Sequence, residues 1–158
     1  MVINSVLNSE IDESVFNNIL SILEDTGQLS TTAYVHVNAV KWYIMKDGND
    51  SIIGFAALKR PRKSGFDYEI GYGYMKEQYR HKNKFTQIAK KIYEENKGKK
   101  LYFTTFNKGI EKLIGSSEFK QSDSWASDSN PEDTVKLFSN ATNENVFTNL
   151  LHKNLFNS

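Results

Sequence analysis

EIGYGYMKEQYRHKNKFTQIAKKI, residues 69–92, decides how the rest of the chain is read. Its first third ends an aromatic-rich run, FDYEIGYGYM (66–75), which predicts a strand. Its last third places Phe85, Ile88, Ala89 and Ile92 at helical spacing, which predicts a helix over 82–97 stopped by Gly98. Between them runs a short turn, 76–84, carrying Lys76, Arg80, Lys82 and Lys84. The unpaired amides of a helix N-terminus, with the helix dipole behind them, attract anions, and these cations add to that field. Asn83 tolerates the left-handed backbone such a turn often needs. A pyrophosphate suits the place; a solvated basic turn is the alternative. Gly71 and Gly73 fall on one face of the strand, which marks a close approach by ligand or backbone, or the crowding of large tyrosine neighbours.

Outward from this unit the periodicities predict one domain over 1–158. Residues 10–26 form an amphipathic helix, with Ser9 and Asp12 as its capping pair and Gly27 at its end. Residues 33–46 read as strand, in one piece or two, and Asp47–Asp50 as a hairpin turn into a strand over 51–60. After the helix come a strand over 101–106, a short helix over 107–114, strands over 119–126 and 134–139, and a C-terminal helix over about 143–156. The fold class is α+β: a mixed, mostly antiparallel central sheet flanked by helices.

Composition narrows the chemistry. The chain has 158 residues, 39% hydrophobic and 25% charged, which suits a packed domain rather than a disordered chain. It has no cysteine, hence no disulfide, thiolate metal site or cysteine nucleophile. His36, His81 and His152 form no metal-ligand spacing. No apolar run is long enough to span a membrane, and the first residues lack the pattern of a signal peptide, so the expected location is cytoplasmic. The formal net charge is only +1, which argues against a dedicated nucleic-acid binder. The charge is uneven, however: residues 1–30 hold five acids and no Lys or Arg, whereas residues 76–100 hold nine bases against three acids.

The run 69–92 resembles the acetyl-CoA-binding motif of the GNAT acyltransferases. Glu69-Ile70-Gly71-Tyr72 and Tyr79-Arg80 match its pattern in register, LYFTTFN (101–107) is similar to the family's fifth strand with its closing asparagine, and Phe119 falls where the family has a Gly-Phe phenylalanine. The order of elements over roughly residues 10–140 agrees. The resemblance implies a GNAT-like domain that transfers an acetyl group from acetyl-CoA directly to an amine. It implies cofactor contacts from Tyr74, Met75, Lys76, Arg80, His81, Lys82, Asn83, Lys84, Phe85, Thr86 and Asn107. Two positions depart from the pattern: Asn83 and Phe85 stand where the family has glycines. Phe85 is expected to turn inward with Ile88, Ala89 and Ile92 and so leave its amide exposed.

A protonated amine, with a pKa of about 10, is no nucleophile until it loses a proton. Glu69 occupies the strand position where some family members carry a catalytic glutamate; the alternative is that it pairs with a nearby base. The backbone near Tyr74 and Met75 is implied as donor to the thioester carbonyl. The family's usual tyrosine acid is replaced by Ile114, and Glu118 precedes Phe119; Ser116 and Ser117 lie close by. The acceptor is a small-molecule or macromolecular amine, nucleic acid included. Tyr34, His36, Trp42 and Tyr43 belong either to its cleft or to the core. A catalytically inactive binding or regulatory protein of the same fold is the alternative function, and the helix over 143–156 is apolar enough to serve a homodimer.

Overall fold

Seven strands and three helices follow one another along the described part of the chain: β1 (Val2–Leu7), α1 (Glu13–Asp25), α2 (Thr32–Asn38), β2 (Ala39–Lys46), β3 (Ile52–Lys59), β4 (Tyr68–Met75), α3 (Lys84–Glu95), β5 (Leu101–Thr105), β6 (Lys120–Ala126) and β7 (Thr134–Ser139). The computed structural model describes residues 2–27, 32–80, 82, 84–105, 120–126 and 134–140. The helices expected over 107–114 and 143–156 lie outside them. The class is α+β with a mixed, mostly antiparallel sheet. No described helix is long and apolar enough to cross a membrane.

The chain divides into two compact units, residues 1–60 with 70–92, and residues 61–69 with 93–158. In the first, the strand order is β1-β2-β3-β4. β1 runs antiparallel to β2, from Val2 opposite Lys46 to Leu7 opposite Lys41. The β2–β3 turn is built by Asp47, whose Oδ1 accepts from the Asn49 and Ser51 amides at 2.8 and 3.1 Å. β2 and β3 are buried along most of their length, so both faces of this half-sheet are covered. On one face Trp42, Ile44, Phe55, Ala57 and Tyr72 pack with Phe16, Ile19, Leu20 and Leu23 of α1 and Val35 of α2. α3 lies on the other face, its Phe85 ring against Gly73.

In the second unit the order is β4-β5-β7-β6. The start of β4 pairs in parallel with β5, Tyr68 opposite Leu101 and Glu69 opposite Tyr102. β7 then runs antiparallel to both β5 and β6. Phe66, Tyr102 and Leu137 form its core cluster, and Phe103 stacks on Phe138 at 5.1 Å between ring centroids.

Three expectations are corrected. α1 starts at Glu13 because Asp12, not Ser9, is the cap: its carboxylate accepts from the Ser14 amide at 3.0 Å. Ile11, just before it, packs with Phe16, one turn in, as a hydrophobic staple. The strand expected over 33–46 is strand only from Ala39. Residues 32–38 form α2, which buries Val35 and closes its last turn with an Asn38 Nδ2 bond to the Tyr34 carbonyl at 2.8 Å. Residues 2–7 form β1, which the hydrophobic pattern did not single out.

The glycines of β4 are small because side chains of the chain itself occupy their space. A β-carbon at Gly71 would lie 2.5 Å from Lys59 Cδ, and one at Gly73 would lie 2.8 Å from the Phe85 ring. Gly54, on β3, leaves room for the Tyr74 carbonyl and Met75. Between the two β4 glycines Tyr72 holds φ at +51°, the left-handed region that bulky residues avoid. Its ring stacks on Trp42 at 5.9 Å, and Lys59 Nζ lies 4.3 Å from the ring centre. Gly73→Ala is expected to destabilise the protein by about 1–3 kcal/mol through overpacking. Phe85→Leu in the same chain should return part of that loss, and a denaturation cycle of the parent, both single variants and the double variant measures the coupling.

Candidate active site

The turn that follows β4 is held by its own arginine. Lys76 N–H donates to the Ile53 carbonyl at 2.7 Å, which ends the strand against β3. A 3-10 turn over Glu77–Tyr79 follows, closed by Tyr79 N–H to Lys76 O at 2.9 Å and Arg80 N–H to Glu77 O at 3.1 Å. Arg80 then folds back, and its Nε donates to the Met75 carbonyl at 2.7 Å. A guanidinium carries five donors, so this bond anchors the group without exhausting it. Lys76, Arg80 and Lys82 are exposed, and Lys84 is half-buried at the start of α3. The first turn of α3 contains no acid that would cancel this charge.

Phe85 does turn inward, but onto β4 rather than into the core with Ile88, Ala89 and Ile92: it stays half-buried with its ring over Gly73. One position on, Thr86 presents a polar atom that the sequence gave no reason to notice. Its Oγ1 is buried and has no hydrogen-bond partner among the described residues. An unsatisfied buried hydroxyl costs about 1–3 kcal/mol, so an unexplained one in a helix's first turn calls for a partner. The structure thus brings Tyr74, Met75, Lys76, Arg80, Lys82, Lys84, Phe85 and Thr86 into one strand–turn–helix segment of the first unit. His81, Asn83, Asn107, Ile114, Ser116, Ser117, Glu118 and Phe119 lie outside the described residues.

Glu69 belongs to the second unit and is only 2% exposed. Arg62 grips it with two bonds, Nε to Oε1 at 2.9 Å and Nη2 to Oε2 at 2.6 Å. Tyr102 Oη donates to Oε1 at 3.1 Å and itself accepts the backbone N–H groups of Arg62 and Lys63 at 2.9 and 3.1 Å. Of the two readings the sequence leaves open for Glu69, this geometry is the paired one. Both oxygens accept from Arg62, so taking a proton from an amine means giving up part of that fork. The sequence named neither partner: Arg62 sits in a Pro-rich turn, and Tyr102 in a strand that reads as apolar throughout. Asp67 and Asn140 complete the edge of this unit, accepting the Lys100 and Leu101 amides at 2.7 and 2.8 Å.

Of the aromatic residues considered for an acceptor cleft, Trp42 and Tyr43 are core residues with no exposure. Trp42 Nε1 is satisfied by Asn8 Oδ1 at 2.9 Å. Tyr34 and His36 are exposed on α2, His36 lying against the Phe16 ring at 4.1 Å. No group of three His, Asp or Glu among the described residues is placed to hold a metal ion.

Burial first, and the Glu69 carboxylate second, push the Tyr102 hydroxyl well above its ordinary value of 10.0. A hydroxyl whose folded pKa is raised contributes stability that is present below the unfolded pKa and is lost as pH rises through the folded one. Tyr102→Phe strands two backbone N–H groups and removes a donor to Glu69. It is expected to cost about 1–3 kcal/mol near neutral pH. Urea denaturation across pH should show this gap narrowing only above pH 10, where the parent alone carries the Tyr102 loss.

By sequence the chain matches no family model and no curated protein. By structure it is similar to ElaA of Escherichia coli, with a TM-score of 0.66 and 13% identity over 89% of this chain and 99% of that one. It is similar to NAA60 of Arabidopsis thaliana in complex with acetyl-CoA, with a TM-score of 0.62 and 14% identity over 87% of this chain and 97% of that one. A GNAT-family acetyltransferase of Staphylococcus aureus gives a TM-score of 0.56 and 13% identity over 87% and 98%.

Proposed function

Starting from a chain with the fold of the GNAT acetyltransferases, we propose that it is an N-acetyltransferase that moves the acetyl group of acetyl-CoA directly to an amine. The observation that carries this is the segment from Met75 to Thr86. A basic turn runs into the N-terminus of a twelve-residue helix that has no acid in its first turn, and the Thr86 hydroxyl is buried there without a partner. A pyrophosphate supplies what each of these lacks: acceptor oxygens for the amides and the hydroxyl, and negative charge for Arg80, Lys82 and Lys84. His81 and Asn83 belong to the same turn. Phe85 is compatible with the role because Gly73 receives its ring.

The thioester supplies an activated acyl group whose leaving thiolate, with a pKa near ~8.5, needs little help from an acid. The backbone near Tyr74 and Met75 is assigned to the carbonyl oxygen as negative charge develops on it, and Asn107 to the cofactor. The amine reaches the carbonyl after losing its proton to water. Glu69 is assigned a positioning role, fixing Arg62 and Tyr102, because its oxygens are already engaged. The same engagement favours a second reading, in which acetyl-CoA binds and turnover is absent. The acceptor amine stays open as small-molecule or macromolecular.

Release of free thiol from acetyl-CoA, screened over polyamine, aminoglycoside, amino-acid, peptide and nucleic-acid amines, tests turnover. Acetyl-dependent thiol release that needs one acceptor class supports the enzyme. Binding without release in every class supports the second reading. Thr86→Val is expected to leave thermal stability equal or higher, since it replaces an unsatisfied hydroxyl with a methyl, while weakening acetyl-CoA binding about tenfold. A binding constant that does not move removes Thr86 from the site. Glu69→Gln should lower the melting temperature and leave the rate per folded molecule close to that of the parent. A fall in rate at unchanged stability, with loss of the acidic limb of the pH profile, restores Glu69 as the base.

A further inference from the structure

β1 lies at one end of the strand order, with β2 on one side and no strand on the other among the described residues. One hydrogen bond fixes which of its backbone groups face outward. Asn8 N–H donates to the Val40 carbonyl at 2.9 Å, and these two residues continue the β1–β2 register. In an antiparallel pair, opposed residues alternate between exchanging both backbone bonds and exchanging none. Val2, Asn4 and Val6 share the parity of Asn8, so they bond to Lys46, Ile44 and Trp42 of β2. Ile3, Ser5 and Leu7 therefore turn their N–H and C=O groups away from β2.

Free edges are normally blunted by charge, proline or a bulge. VINSVL has no charged residue and no proline, and its register against β2 runs without a shift. β6, at the far end of the second unit's strand order, carries Lys120 and Asp123 in its sequence. Val2 and Leu7 are also among the exposed large hydrophobic residues, at 60% and 41%.

We propose that the outer edge of β1 pairs with β1 of a second copy of this chain, antiparallel, about a two-fold axis through Ser5. In this register Ser5 faces Ser5, and Ile3 faces Leu7 of the second copy. All three outward residues then sit at bond-exchanging positions, so every outward N–H and C=O finds a partner. The exposed Leu7 gains an apolar cross-strand neighbour, and the uncharged strand brings no like charges together at the axis. A strand from another protein would satisfy the same backbone groups, but the reciprocal Ile3–Leu7 match follows from this sequence meeting itself.

The test is the mass of the full chain in solution, by sedimentation and light scattering over a wide concentration range, for the parent and three variants. The parent is expected to dimerise. Ser5→Pro removes an N–H that β2 does not use, so the monomer keeps its circular dichroism and melting while the dimer is lost. Ser5→Lys sets two ammonium groups face to face and is expected to abolish the dimer as well, which keeps the test open if the proline variant folds poorly. The chain has no cysteine, so Ser5→Cys places one thiol per copy at the axis. Opposed residues at a bond-exchanging position are about 5.5 Å apart, within disulfide reach, and mild oxidation should yield a covalent dimer. A parent that stays monomeric at the highest concentration overturns the proposal. So does a dimer that survives both Ser5→Pro and Ser5→Lys, or one that Ser5→Cys does not cross-link.

Discussion

A tyrosine in left-handed backbone conformation in the middle of a strand has to be held there. Tyr72 is that residue, and the first unit is arranged around it. Such a backbone costs about 1–3 kcal/mol in a bulky residue. Stacking on Trp42 returns roughly 0.5–1.5 kcal/mol beyond area burial, and a largely desolvated lysine over the ring about 2 kcal/mol. The sums are comparable, so Trp42 and Lys59 together hold what neither holds alone. Glycine on both sides of Tyr72 is part of the same arrangement. Gly71 admits the stem of Lys59 so that its ammonium reaches the ring, and Gly73 admits Phe85 so that α3 can sit close to β4. The functional segment begins two residues later, at Met75, on a strand fixed in this way.

Phe85 shows how a departure from a family pattern can be absorbed. A bulky residue at the start of a phosphate-binding helix would block the amides if its ring faced the ligand. Here the ring faces the strand, and the space for it is made by the absence of a side chain at Gly73. The two substitutions therefore form one feature. Arg80 does a related job on the other side of the turn: its bond to the Met75 carbonyl fixes where the strand ends and where the remaining guanidinium donors begin.

How much of this the sequence carried depended on the range of the interaction involved. The strand–turn–helix unit over 66–97, the Asp47 turn and the late strands rest on local signals, and they were legible. α2 was not. Tyr34, Val35 and Val37 have strand-forming side chains, and a helix of seven residues buries only Val35, too little for a helical period to show. β1 was missed because Val2, Asn4 and Val6 mix polar and apolar residues on one face, and the strand is made by pairing with residues some forty positions on. Glu69 illustrates the same limit at the site. Its position in the strand was correct, but its partner Tyr102 comes from β5 and its partner Arg62 from a turn, and no local pattern announces either. The orphan Thr86 hydroxyl is likewise visible only in three dimensions.

The central claim is that the turn from Met75 to Thr86 receives the pyrophosphate of acetyl-CoA. Calorimetric titration of the protein with acetyl-CoA, alongside CoA and a dephosphorylated CoA, tests it most directly. The account predicts saturable one-to-one binding in the micromolar range by acetyl-CoA and CoA, lost in Arg80→Ala. No binding up to millimolar concentration, or binding indifferent to the removal of the phosphates and of Arg80, would contradict it.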